Sequence, residues 1–167
     1  LTADDGNGNT GQCTFDITLE DNMLPTISCP GNINQVVDPG TCTAGITVPT
    51  PVTGDNCGIL SVVNDFNGTN DASGDYPGGT TEVVWTVTDV NNNIATCSMT
   101  VTVTDNELPV FDDCPGDLGP LSMDPLACGA TVSWTEPTAS DNCGVVTITR
   151  TDATGLNNGD LFPEGTT

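Results

Sequence analysis

Short runs of alternating apolar and polar residues dominate this chain, and their two-residue period is that of half-buried β-strands. Cys42, Ala44, Ile46 and Val48 fall on one face, with Thr43, Gly45 and Thr47 on the other. The same register returns at Cys128, Ala130, Val132 and Trp134, while Leu60 and Val62 are matched later by Val146 and Ile148. The strongest pair of strands is Val83, Trp85, Val87 followed by Cys97, Met99, Val101, Val103, with threonines on the opposite faces. Asp38-Pro39-Gly40-Thr41 and Pro77-Gly78-Gly79 read as tight turns. Asn64 to Asp75 is polar, Gly-containing and weakly patterned, and is read as loop and edge strand. No segment supplies the roughly 10 consecutive helix formers of an ordinary helix, so the prediction is an all-β chain.

The strands repeat. Cys13, Cys29, Cys42 and Cys57 recur as Cys97, Cys114, Cys128 and Cys143, each about 85 residues later. Asp21-Asn22 stands above Asp105-Asn106, Asp55-Asn56-Cys57-Gly58 above Asp141-Asn142-Cys143-Gly144, and Tyr76-Pro77-Gly78-Gly79-Thr80-Thr81 above Phe162-Pro163-Glu164-Gly165-Thr166-Thr167. This register divides the chain into residues 1–24, the closing strands of a partial repeat; 25–108, a complete repeat; and 109–167, the first two thirds of another. About seven short strands in roughly 84 residues is the signature of an immunoglobulin-like sandwich. Two explanations of the register stand side by side. The residues are a window on a longer tandem array, or the strands lacking in one copy come from the first 24 residues of the next by strand exchange.

Composition and charge then narrow the chemistry. The chain carries 23 Asp plus Glu against one basic residue, Arg150, and no His, for a net charge of −22. No basic patch for a phosphate backbone can be built, so nucleic acid is excluded as a partner, and no apolar run reaches a membrane span. Cations are implied at least as counter-ions. Eight cysteines in a repeated pattern suggest disulfides and an oxidising compartment, stapling modules whose apolar cores are thin. Zinc is poorly matched, because there is no Cys-x-x-Cys and no His.

These residues resemble the hyalin repeat (HYR) module. The resemblance rests on the Asp and Pro joint, Cys29-Pro30 and Cys114-Pro115, Asp55-Asn56-Cys57, the Tyr76-Pro77-Gly78-Gly79-Thr80-Thr81 turn, Thr88-Asp89, and a closing strand of the form Cys97-x-x-x-Val101-x-Val103. It departs from the family at Asn91-Asn92-Asn93, where Gly-Asn is frequent. The resemblance implies tandem immunoglobulin-like β-sandwich modules, disulfide-stapled, extracellular, and without enzymatic activity. It also implies a disulfide pairing of Cys29 with Cys97, Cys42 with Cys57 and Cys128 with Cys143, leaving Cys13 and Cys114 to pair outside these residues. The competing scheme, Cys13 with Cys29 and Cys97 with Cys114, would need to span a whole strand, about 20 Å if the joint is extended.

Without His or Lys, no Ser-His or Cys-His nucleophile pair can be assembled. The better-supported chemistry is Ca²⁺, whose hard oxygen ligands could come from loops that share one pole of a sandwich. At one joint these are Asp21, Asn22, Asp55, Asn56, Asp89, Asn91 and Asn93; at the next, Asp105, Asn106, Glu107, Asp141 and Asn142. The rival reading is that the same residues merely form Asx turns. Trp85 and Trp134 fall on faces expected to be buried, so core packing is favoured over sugar stacking. Asn67-Gly68-Thr69 is a candidate glycosylation sequon at Asn67. The expected function is a structural extracellular rod or filament, the stalk of an adhesin or a cell-surface fibre, whose partners are neighbouring repeats. On the alternative reading it is an adhesive module whose loops bind a cell-surface receptor or glycan.

Overall fold

A computed structural model describes residues 1–151 and 155–165; Thr166 and Thr167, the last two residues of the repeated turn, lie outside it. The described residues are all-β. The strands are β1 (Thr2–Asp4), β2 (Thr10–Gln12), β3 (Thr26–Ser28), β4 (Ile33–Val36), β5 (Thr43–Ile46), β6 (Val52–Gly54) and β7 (Ile59–Asn64). They continue with β8 (Gly74–Pro77), β9 (Gly79–Asp89), β10 (Ile94–Thr104), β11 (Val110–Asp113), β12 (Gly129–Thr131), β13 (Thr138–Ser140) and β14 (Leu161–Pro163). The largest sheet has the order β4-β10-β9-β7, and the other strands form two-stranded pairs. The chain divides into two compact units, each assembled from separated segments: 1–32, 47–73 and 82–100 in one, 33–46, 74–81 and 101–167 in the other.

In the first unit, β3 pairs antiparallel with β6, and β7 with the end of β9. Threonines and β-branched residues fill these strands because their stiff side chains suit a pleated surface. Along β9, Val83, Trp85 and Val87 are fully buried, with Met99 nearly so on β10. A bulge between Ile59 and Ser61 breaks the alternation of β7. It turns Leu60 out to solvent, 61% exposed, against the expectation of an inward Leu60. The segment 64–75, expected as loop and edge strand, is a loop running into β8, and its side chains are ordered by hydrogen bonds. Buried Asn64 donates its amide to the Thr69 carbonyl and to Asn67 Oδ1, and Asn67 in turn donates to the Asp71 carbonyl.

In the second unit, β4 runs parallel to the end of β10, with Ile33 opposite Val101, and β5 pairs with β8. Ala44, Ile46, Tyr76, Val101 and Val103 are buried, the inward set of the alternating pattern. Between 109 and 165 the strands are short: β11 pairs with β13 and β12 with β14. No strand forms around Val146 and Ile148, where one was expected. Its counterpart β7 is held by β9, and the described residues of 109–165 contain no equivalent of β9. For the same reason Trp134 is only half-buried, in edge-to-face contact with Phe162 at 5.9 Å between ring centres.

Two disulfides are formed. Cys29 is joined to Cys97 with Cα atoms 5.8 Å apart. The expected Cys42–Cys57 and Cys128–Cys143 bonds are not: Cys42 is joined to Cys143, and Cys13, Cys57, Cys114 and Cys128 are exposed free thiols. The reason is local. The Asp141-Asn142-Cys143 turn is seated on the turn before β5, where Asn142 Nδ2 donates to the Thr41 carbonyl at 2.6 Å and brings the Cys143 and Cys42 Cα atoms within 4.7 Å. The turn containing Cys57 lies instead beside Asp21.

Candidate cation site and family

Three aspartates from well-separated loops meet in the first unit. One carboxylate oxygen from each of Asp21, Asp55 and Asp89 lies within 4.8 Å of the others. Each is held by its own loop. Asp21 Oδ1 accepts from the Met23 backbone N–H at 3.1 Å, an Asx turn at the joint. Asp55 Oδ1 accepts from the Cys57 and Gly58 N–H groups at 2.8 and 3.0 Å. Fully buried Asp89 accepts from the backbones of Asn91 and Asn93 with Oδ1 and from the Asn93 amide with Oδ2, all at 2.8 Å.

The turn that carries Asp89 explains the Asn-rich segment. Asp89 N–H donates to the Asn93 carbonyl and Asn92 N–H to the Asp89 carbonyl, which closes a three-residue hairpin loop with Asn92 in the left-handed region at φ 70°. Residues 5–9 repeat the Asp-centred bonds of this turn, with Asp5 N–H donating to the Asn9 carbonyl. Asp5 accepts from Asn7 and Asn9, and Gly8 stands at φ 91° where Asn92 does. The departure from Gly-Asn therefore preserves the turn, since Asn tolerates left-handed backbone better than other side chains.

Two of the triad's oxygens, Asp21 Oδ2 and Asp55 Oδ2, are buried and accept no hydrogen bond. Buried carboxylate oxygens without a donor are costly, and three like charges at this spacing repel one another. Their backbone anchors nevertheless favour the ionised form. The Met23 N–H, then the adjacent Cys57 thiol, hold the Asp21 carboxyl below its ordinary pKa. Asp21 in turn pushes the Cys57 thiol up, first through hydrogen bonding, then burial, then the charges of Asp21, Asp55 and Asp89. An all-oxygen donor set with unsatisfied buried oxygens fits a hard divalent cation.

Of the other expected ligands at this joint, Asn93 donates its amide to Asp89 and to the Asp21 carbonyl, and Asn91 contributes its backbone N–H to Asp89, so both fasten the loops. Asn56 points its amide at the Cys57 sulfur, and Asn22 is exposed. At the second joint no triad is assembled among the described residues. Asp105 and Asp141 keep the Asx turns of Asp21 and Asp55, accepting from Glu107 and Cys143 N–H at 2.9 Å. Glu107 instead takes the Gly40 N–H, and Asn142 the Thr41 carbonyl. Asn106 is exposed. Asn67, the sequon residue, is exposed, with its amide engaged in the 64–71 loop.

The HYR domain model matches residues 20–103 and 104–167. Hyalin from Strongylocentrotus purpuratus is 34% identical over 96% of this chain, and hyalin from Lytechinus variegatus 30% over 99%. The sushi, von Willebrand factor type A, EGF and pentraxin domain-containing protein 1 of Rattus norvegicus is 31% identical over 89%. The chain spans 13%, 31% and 4% of these relatives' own lengths. No solved structure matches. No helix among the described residues is long and apolar enough to cross a membrane. Repeated cysteines, repeated Asx turns and a match that runs unbroken from residue 20 to the last residue agree, and the chain belongs to the family of HYR domains, immunoglobulin-like modules that are not enzymes.

Proposed function

We propose that this chain is a segment of an extracellular structural rod or filament, an adhesin stalk or cell-surface fibre, stiffened by Ca²⁺ at the Asp21, Asp55 and Asp89 triad. In this reading residues 25–108 are a complete repeat, 1–24 close a preceding one and 109–167 open the next. The single observation that carries it is the position of the triad. Asp21 belongs to the joint before the complete repeat, whereas Asp55 and Asp89 belong to two of its loops, so one cation would fasten a joint to the body it enters. Ca²⁺ would be held by the three carboxylates, with the free Oδ2 atoms of Asp21 and Asp55 as ligands and water completing the shell. The ion supplies charge neutralisation, and the backbone N–H groups hold the carboxylates in place.

Thermal unfolding with calcium and with chelator tests this. Calcium at about 100 times its dissociation constant should stabilise the fold by about 2.7 kcal/mol, seen as a rise in Tm. Asp89→Asn should abolish the response. An identical Tm with and without calcium would remove the structural ion. The alternative, a receptor- or glycan-binding module, draws on the 64–75 segment, most of whose residues between Asp65 and Asp71 are exposed. Glycan arrays and cell-binding assays separate the two, because a spacer binds nothing.

A further inference from the structure

Cys42 lies in the first HYR match, residues 20–103, and Cys143 in the second, residues 104–167, so the bond between them joins two repeats. Its surroundings are built from both. Within one compact unit, the turn at 38–42 receives the second repeat at two further points. The Gly40 N–H donates to Glu107 Oε1 at 3.0 Å, and the Thr41 carbonyl accepts from Asn142 Nδ2 at 2.6 Å. Gly78 completes the seat. Its N–H donates to the Cys42 carbonyl at 2.9 Å, and a Cβ at this position would stand 3.3 Å from Cys42 Sγ and 4.0 Å from Cys143 Sγ. Its φ is not positive, unlike that of Gly79 at 110°, so glycine supplies room at 78 and not a special backbone conformation. In the second repeat Glu164 holds the matching position, so the turn itself accepts a side chain there.

We propose that residues 38–42 and Gly78 form a docking seat for the Asp-Asn-Cys turn of the following repeat, and that the Cys42–Cys143 bond makes it a reducible lock on the joint at 105–107. A polypeptide joint alone leaves one module free to bend and rotate on the next. A second covalent tie, between cysteines 101 residues apart, removes most of that freedom. Calcium at Asp21, Asp55 and Asp89 would fasten the joint that enters the first repeat, whereas the disulfide fastens the joint that leaves it. The lock stands whether or not that ion binds.

Both cysteines are half-buried, which leaves the bond open to small thiols from solvent. It opens by exchange with a reduced thiol such as glutathione. One glutathione thiolate attacks a sulfur of the bond and releases the other as a protein thiolate, leaving a mixed disulfide. A second glutathione thiolate then displaces the remaining protein sulfur. The protein gains two thiols, each taking up a proton, and the two glutathiones leave as their oxidised disulfide.

The test uses the oxidised 167-residue chain, in chelator so that calcium plays no part. Peptides from an acid-directed protease, mapped without reduction, should contain Cys42 linked to Cys143; Cys42 linked to Cys57 instead overturns the lock. In Cys143→Ser, cleavage after Glu107 by a glutamate-specific protease should be about tenfold faster, while cleavage after Glu20, at the other joint, keeps its rate. An unchanged rate after Glu107, or an equal rise at both sites, overturns a lock that is local to this joint. Gly78→Glu keeps both cysteines and copies the residue of the second repeat. It should lower the fraction of chains that carry the Cys42–Cys143 bond in a glutathione redox buffer, and an undiminished fraction overturns the assignment of Gly78 to the seat.

Discussion

Leu126 and Gly40 occupy the same place in two copies of one turn. Asp38-Pro39-Gly40-Thr41 closes with the Thr41 N–H on the Asp38 carbonyl, and Asp124-Pro125-Leu126-Ala127 closes likewise. Proline at the second position and positive φ at the third define a type II turn. Gly40 meets that demand at φ 72° without cost, whereas Leu126 is held at φ 70° with its side chain fully in solvent. Leucine in left-handed backbone carries a penalty of about 1–2 kcal/mol. Leu126→Gly should therefore raise stability by about 1 kcal/mol, read by denaturant melts, and a loss of stability would show that the leucine is held by contacts of its own. Trp85 shows the opposite balance at one residue: its buried ring fills the inward face of β9 although its indole N–H has no hydrogen-bond partner.

Elements this short need a staple. β3 and β4 have three and four residues, too few for a sheet to hold by itself, and the Cys29–Cys97 bond ties the segment between them to the long strand β10. A bond closing residues 68 apart in sequence contributes about 4 kcal/mol in the chain-entropy model. Cys29→Ser should cost that much in chemical denaturation and leave β9 and β10 to lose protection against hydrogen exchange together; an unchanged midpoint would mean that the strands hold without it. The hairpin between β9 and β10 was legible in Asp89 to Asn93, because Asx residues and left-handed backbone go together. The bulge in β7 was not, since nothing in Ile59-Leu60-Ser61 distinguishes a slipped register from a regular one.

For the whole molecule, a net charge of −22 would suggest that acid relieves repulsion and stabilises. The hydrogen bonds point the other way. The carboxyls of Asp5, Asp21, Asp71 and Asp124 lie below their ordinary pKa, held chiefly by the Asn9 side chain, the Met23 N–H, the Ser73 side chain and the Thr131 side chain respectively. A carboxyl depressed by folding contributes stability above its unfolded value, about 3.8, and loses it as pH falls through the folded one. Tm should fall as pH drops below about 4 despite the loss of net charge. A Tm that rises on acidification would show that global repulsion outweighs these bonds.

Alternation and turn chemistry are local properties, so the all-β class, the inward faces at Ala44, Ile46, Trp85 and Val101, and the repeat register followed from the residues alone. The grouping of Asp21, Asp55 and Asp89 at one joint was also legible, because three Asx turns announce themselves by spacing. Which carboxylates converge, and which cysteine reaches which, depended on how loops far apart in sequence are placed in space. Asp21, Asp55 and Asp89 meet because three separate turns present them together, Glu107 leaves its expected group for the Gly40 N–H, and Cys42 passes over the nearer Cys57 because the turn bearing Cys143 is fastened to Thr41. Loop closure costs little more for long separations than for short ones, so sequence distance could not choose the partner, and geometry did.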